Sequence, residues 1–134
     1  DCASLSALLP WLYMEAFMTI ICYPRCSTCR KAESYLKEHG IAYTYRDIKE
    51  DRPSKEELAS YIDRSGLEPR RFFNTSGQLY RDLGLKDRVK EMSREEIISL
   101  LATDGMLVKR PILVTEDAVL VGFKEAEWES LFRG

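Results

Sequence analysis

The chain has 134 residues, of which 45% are apolar and 31% charged, and its formal net charge is −2. This length predicts one domain with enough apolar surface for a core. The near balance of charge excludes a general nucleic-acid or membrane-surface binder, because no strong field of one sign would attract such a partner.

Residues 1–17 differ in character from the rest of the chain. Their apolar run, 5–12, is too short to span a membrane, and no basic segment precedes it as in a secretory signal. Met14 and Met18 are both candidate starts. We expect 1–17 to be an N-terminal extension outside the domain proper, which is 18–134.

The first part of the domain has the pattern of a strand–helix–strand unit. The apolar, β-branched run 18–23 predicts a buried strand, and a helix with one apolar face is predicted over 30–39. Gly40 ends this helix. Residues 41–46 alternate as a second strand does, and the short βαβ connection predicts that the two strands are parallel.

An all-helical insert is predicted next, over about 53–106. Capping boxes at 54–57 and 93–96 each begin a helix, with short helical turns between them. Strands at 111–115 and 118–121 then predict a β-hairpin, which an amphipathic helix follows. The order β-α-β, helices, β-β-α predicts an α/β protein with the thioredoxin-like fold and an inserted helical subdomain.

Cys26 and Cys29 form a C-x-x-C motif where the first strand passes into the first helix. Unpaired backbone N–H groups and the helix dipole stabilise a thiolate there, and Arg25 and Arg30 add positive charge. One helical turn brings the two sulfurs within reach of a disulfide, so Cys26 can attack and Cys29 can resolve the adduct. The alternative is a chance pair that packs as small apolar side chains.

The remaining cysteines have no predicted chemical role. Cys22 lies in the apolar strand and is predicted to pack, and Cys2 belongs to the extension. All four cysteines lie near one end, so they cannot be a disulfide framework for the whole chain. After Cys29 only His39 could join them on zinc, and we predict for it a surface or capping role. We expect no metal site and a cytoplasmic protein.

Arg110-Pro111 opens the third strand, which lies across from the cysteine loop in a fold of this type. A cis proline there exposes the preceding backbone toward the active sulfur, and Arg110 can face a thiolate or a bound oxyanion. The alternative is an ordinary proline at a strand start beside a solvated arginine.

Three segments, Y-P-R-C-S-T-C-R-K-A (23–32), K-R-P-I-L-V (109–114) and V-G-F (121–123), together resemble the arsenate reductase (ArsC)/Spx family. The resemblance covers about 18–132. It implies a thioredoxin-like fold with a helical insert.

The resemblance also implies the roles of individual residues. Cys26 corresponds to the cysteine that attacks arsenate, and Arg110 to the arginine that stabilises the thiolate and the oxyanion. Pro111 corresponds to the cis-proline, and Pro111 and Arg30 are expected to contact substrate. Cys29 corresponds to the second cysteine of the redox switch in Spx-type regulators, where glutathione-coupled reductases have serine.

The chain departs from the arsenate reductases at two positions. Arginines that hold the oxyanion in those enzymes correspond to Asn74 and Gly122, and neither residue is basic. Arg70 and Arg71 are close in sequence, but three residues along a helix displace a side chain by several ångströms. We therefore expect arsenate to bind weakly.

Three functions are consistent with these motifs. The first is an oxidoreductase that reduces arsenate or a protein disulfide with electrons from glutathione, glutaredoxin or thioredoxin, and needs no bound cofactor. The second is an Spx-like redox-sensing transcriptional regulator that binds the RNA polymerase α subunit rather than DNA. The third is a relative that keeps the fold without the activity. The motifs favour the enzyme, because they surround a nucleophilic sulfur.

Overall fold

The computed structural model describes residues 18–133, so the predicted extension at 1–17 lies outside the described residues. The sheet consists of β1 (Thr19–Cys22), β2 (Thr44–Asp47), β3 (Ile112–Val114) and β4 (Val119–Val121). The strand order is β2-β1-β3-β4. β1 and β2 are parallel, and β3 is antiparallel to both β1 and β4, which confirms the predicted βαβ unit and β-hairpin.

The described residues also form α-helices, which are α1 (Ser27–Glu38), α2 (Lys55–Ser65), α3 (Gln78–Asp82), α4 (Leu85–Arg88), α5 (Arg94–Leu101) and α6 (Glu125–Arg133). Three short 3₁₀ segments occur at Pro69–Phe72, Val89–Glu91 and Gly105–Leu107. The helical segments from α2 to α5 and the 3₁₀ segments lie between β2 and β3. Within 18–133, each helix is too short or too polar to cross a membrane.

The sheet separates two apolar clusters, because successive side chains of β1 point to opposite faces. Ile21 packs with Phe72 and the other helical residues between β2 and β3. Ile20 and Cys22 pack on the opposite face, against α1 and α6 around the fully buried Trp128. The helices between β2 and β3 therefore share a core with the sheet, and Cys22 faces the helix that carries the cysteine pair.

The helix boundaries differ from the prediction in two places. α1 begins at Ser27 rather than Arg30, so Cys26 is its N-cap and Cys29 lies in its first turn. The sequence analysis did not predict α4, because a helix of four residues with one buried side chain, Leu85, has no visible periodicity. Both predicted capping boxes are present, at the starts of α2 and α5.

Glu57 links the N-terminal cap of α2 to β2. Its carboxylate accepts hydrogen bonds from the Arg46 guanidinium at 2.5 and 2.9 Å. These bonds, together with those to Ser54 of the cap, lower the pKa of Glu57 to about 2 despite partial burial. Because the folded-state pKa lies below the usual 4.5, the stabilisation is present above about pH 4.5 and is lost as the pH falls toward 2.

We expect Glu57→Gln to lower the free energy of unfolding at pH 7 by about 1 kcal/mol. The effect is small because the Glu57 side chain is 38% exposed and solvent screens the pair. Urea unfolding should show a smaller difference from the native protein at pH 3, where the carboxylate is partly protonated. Glu56→Gln, an exposed neighbour in the same turn, is the control, and an equal loss at both pH values would contradict the expectation.

Candidate active site

Cys26 stands at the N-terminal end of α1 and is partly exposed. Its backbone N–H donates to the Tyr23 carbonyl at 3.0 Å, which closes the turn between β1 and α1. Its own carbonyl accepts from the Arg30 N–H at 3.1 Å. Cys26 is therefore at the positive end of the helix dipole, and its side chain makes no capping hydrogen bond to the first turn.

Cys29 lies one turn deeper and is 1% exposed. Its sulfur accepts a hydrogen bond from the Tyr23 backbone N–H at 3.4 Å. The neighbouring Cys22 thiol lowers the pKa of Cys29 most, and the Tyr23 N–H, the Cys26 thiol and the charge of Arg110 lower it further, to about 7, although burial opposes this. Cys29 is therefore substantially ionised near neutral pH.

Cys22 packs in the core, as predicted, and it also affects the pKa of Cys29. It is fully buried in β1, and its neighbour Cys29 and its burial raise its pKa. Its thiol therefore remains protonated beside Cys29. Side chains alternate between the two faces of β1, and this alternation could have predicted that Cys22 faces α1, one residue before the turn.

Removing the Cys22 thiol should raise the pKa of Cys29 from about 7 toward the usual 9. We expect Cys22→Ala to lower the fraction of Cys29 thiolate at pH 7 about tenfold. Thiolate absorbance followed against pH checks this, in a Cys2→Ala, Cys26→Ser background so that Cys29 dominates the titration. Cys22→Ser keeps a donor and is the control, and an unchanged midpoint in Cys22→Ala would contradict the assignment.

Arg110 faces this sulfur cluster from the start of β3. The Arg110–Pro111 peptide bond is cis, as the resemblance implied. The guanidinium carbon lies 5.2 Å from the centre of the Tyr23 ring, a cation–π contact. Its Nε and Nη1 atoms are buried and have no hydrogen-bond acceptor among the described residues. Buried donors without an acceptor are unfavourable, so this guanidinium is suited to hold an anion.

A cleft of about 550 Å³ opens beside Cys26. Its wall combines the start of α1, the loop before α3 and both ends of the hairpin. It is lined by Cys26, Ser27, Thr28, Asn74, Ser76, Gly77, Lys109, Arg110, Val121, Gly122, Phe123 and Lys124. Three of these residues are cationic, which makes the cleft suited to a negatively charged ligand.

Comparison with known proteins identifies the family to which this site belongs. The sequence profile of the ArsC family matches residues 22–131, which include Cys26, Cys29 and Arg110. The chain belongs to the ArsC family. The recognition made from the sequence motifs is therefore confirmed, as is the thioredoxin-like α/β class of the fold.

Two relatives from Bacillus subtilis are similar to most of the chain. The chain is 49% identical to the uncharacterized protein YusI of Bacillus subtilis over 84% of this chain and 95% of that one. It is 31% identical to the regulatory protein MgsR of the same organism, over 85% and 89% of the two chains.

Solved ArsC-family structures match the fold closely. An ArsC family related protein from Bacteroides fragilis is 51% identical, with a TM-score of 0.85 over 87% of this chain and 98% of that one. A possible arsenate reductase from Streptococcus mutans is 45% identical, with a TM-score of 0.80 over the same shares of the two chains.

The structure brings together most of the residues that the ArsC resemblance singled out. Cys26 and Arg110 line the cleft with Asn74 and Gly122, the two positions where arginine was expected. Pro111 is buried beneath the cleft, and its carbonyl accepts from the Gly122 N–H at 2.8 Å.

Three arginines that the sequence analysis considered lie outside the cleft. Arg30 is exposed, and its Nε donates to the Pro24 carbonyl at 3.4 Å, so the structure does not place it with the predicted substrate contacts. Arg70 is paired with Glu68 at 2.8 Å, and the neighbouring Arg71 is exposed. The cations that the sequence analysis missed in the cleft are Lys109 and Lys124. Lys109 begins the second segment of the family motif, and Lys124 follows the third. Within 18–133, no group of three acidic, cysteine or histidine side chains is arranged to hold a metal ion.

Proposed function

We propose that this protein is a thiol–disulfide oxidoreductase of the ArsC family, with Cys26 as nucleophile and Cys29 as resolving thiol. The observation that carries the proposal is that Cys26 lines a cationic cleft while Cys29 lies buried one helical turn deeper. Cys26 is the accessible partner, and Cys29 is the buried partner whose thiolate is stabilised. A substrate therefore reaches Cys26 first.

The proposed reaction starts from a reduced site in which the two sulfurs hold one proton. When that proton lies on Cys29, the Cys26 thiolate attacks one sulfur of a substrate disulfide, and the other half leaves as a thiolate that takes up the proton. Cys29, ionised again, attacks the Cys26 sulfur and expels the second half. Two electrons pass to the substrate, and the protein is left with a Cys26–Cys29 disulfide.

An external thiol reductant has to return two electrons after each turnover. ArsC family members use such reductants. We propose glutathione, glutaredoxin or thioredoxin for this protein, acting in the cytoplasm. Arsenate remains a candidate second substrate, with Arg110 as its principal partner in the cleft, since Asn74 and Gly122 supply no charge.

A single-turnover experiment tests the proposed activity. Reduced protein is mixed with bis(2-hydroxyethyl) disulfide, a neutral disulfide, and the released thiol and the protein mass are followed. We expect two thiols released for each protein and a loss of two hydrogens that maps to Cys26–Cys29. An unchanged protein mass would exclude the activity, and arsenate reduction with glutathione and glutaredoxin, measured separately, decides that substrate.

The names of the relatives favour a second candidate, a redox-sensing regulator that binds RNA polymerase. MgsR is a regulatory protein, and a global transcriptional regulator, Spx 2 of Bacillus cereus, is 28% identical over 76% of both chains. In this role the Cys26–Cys29 disulfide is a switch. Binding of purified RNA polymerase α subunit that differs between the reduced and oxidised protein would support the regulator, and equal absence of binding in both states would exclude it.

A further inference from the structure

The charge of the cleft beside Cys26 differs from that of the whole chain. The chain has 20 basic and 22 acidic residues, yet the cleft is lined by Lys109, Arg110 and Lys124 and by no carboxylate among the described residues. None of the three cations forms an ion pair with another residue of 18–133. Their charge is therefore available to a ligand.

Lys109 is held in the cleft by its backbone and by Gly122. Its N–H donates to the Phe72 carbonyl at 2.7 Å, which fixes the start of its side chain. A Cβ atom at Gly122 would lie 3.2 Å from Lys109 Cε and 3.8 Å from its Nζ, so the lysine side chain crosses directly over the glycine. Gly122 also has a φ of +80°, which favours glycine. The lysine thus places an ammonium group beside the position where the arsenate reductases have an arginine.

Lys124 supplies the second ammonium of the cleft. It is exposed and immediately precedes α6, whose first turn its carbonyl caps through the Glu127 and Trp128 N–H groups at 2.9 and 3.2 Å. Because Lys124 lies at the rim and Arg110 lies deep in the cleft, the cations can contact different parts of one ligand.

The size of the cleft indicates a ligand larger than a tetrahedral oxyanion. Such an oxyanion has the bulk of two or three water molecules, each about 30 Å³. The cleft of about 550 Å³ lies within the range that accommodates organic ligands, about 300–1,000 Å³.

We propose that Lys109 and Lys124 select a disulfide whose thiol component carries carboxylates. This inference rests on the proposed oxidoreductase function. The carboxylates pair with the two ammonium groups, and this pairing presents the sulfur of the acidic half to Cys26. The Cys26 thiolate forms a new S–S bond with that sulfur, the other half leaves as a thiolate and is protonated, and Cys29 then releases the acidic thiol.

Three small disulfides that differ mainly in charge test the selectivity. Reduced protein is mixed with 3,3′-dithiodipropionate, bis(2-hydroxyethyl) disulfide and cystamine, which are anionic, neutral and cationic. Each rate is divided by the rate of the same disulfide with free 2-mercaptoethanol, so that intrinsic reactivity cancels. We expect the anionic disulfide to be favoured over the neutral one about tenfold at low salt, and the cationic one to be slowest, with the differences shrinking as salt increases.

Lysine variants identify the source of the selectivity. Lys109→Met and Lys124→Met should each reduce the anionic-to-neutral ratio, and the double variant should bring it to about one. Lys86→Met, which removes an exposed lysine of α4, should keep the native ratio. A native ratio near one, or a double variant with the native ratio, would overturn the inference while leaving the oxidoreductase function in place. Absence of reaction with all three disulfides would instead overturn the proposed function and the inference with it.

Discussion

Replacing Cys26 with serine should lower the rate of disulfide reduction by at least about a thousandfold. A serine hydroxyl is not ionised near neutral pH, so it cannot displace a thiolate from a disulfide. The neighbouring sulfurs cannot take over, because Cys22 is fully buried and Cys29 is 1% exposed. The measurement is the initial rate of thiol release from bis(2-hydroxyethyl) disulfide by reduced protein.

The matched control is Cys29→Ser, which keeps the nucleophile and removes the resolving thiol. This variant should release one thiol and then stop, with the second half of the disulfide retained on Cys26 and visible as added protein mass. A Cys26→Ser protein that still reacts at more than a tenth of the native rate would contradict the assignment of the nucleophile. A Cys29→Ser protein that releases both halves would contradict the assignment of the resolving thiol.

The order of elements was predictable because each element has its own local signal. The β-branched run before Tyr23, the capping box at Ser54 and the hairpin after Pro111 each specify a structure within a few residues. The helix start at Ser27 was not predicted, because its first turn has a polar sequence, S-T-C-R, without apolar periodicity. Tertiary contacts determine such boundaries more than local propensity does.

The sulfur chemistry could be predicted in part. The C-x-x-C spacing indicated which two cysteines react, and the family motif added Arg110. The effect of Cys22 on the pKa of Cys29 was not predicted, because a cysteine in an apolar strand is usually a packing residue. Lys109 and Lys124 were missed for another reason. The two strands of the hairpin separate them in sequence, and only the folding of that hairpin brings them to one cleft.

Arg110→Met should slow disulfide reduction about tenfold to a hundredfold. A hydrogen bond to a charged group contributes about 1.5–3 kcal/mol, and about 1.4 kcal/mol corresponds to a factor of ten. The charge of Arg110 also contributes to the low pKa of Cys29. The variant should therefore move the midpoint of the pH profile of the resolving step upward from about pH 7, so that the loss in that step is largest at neutral pH and smaller above pH 9.

The same substitution should leave the free energy of unfolding unchanged or raise it by about 1 kcal/mol. The reason is that Nε and Nη1 of Arg110 are buried without an acceptor, whereas methionine has no such donors. Urea unfolding measures this, and Arg71→Met, which removes an exposed arginine outside the cleft, is the control for rate and stability. Arg110→Lys should restore the pH midpoint because it keeps the charge, but not the full rate because lysine lacks the planar donor set. If Arg110→Met lost stability and rate together, with an unchanged pH profile, Arg110 would be a packing residue rather than a partner of the reacting sulfurs.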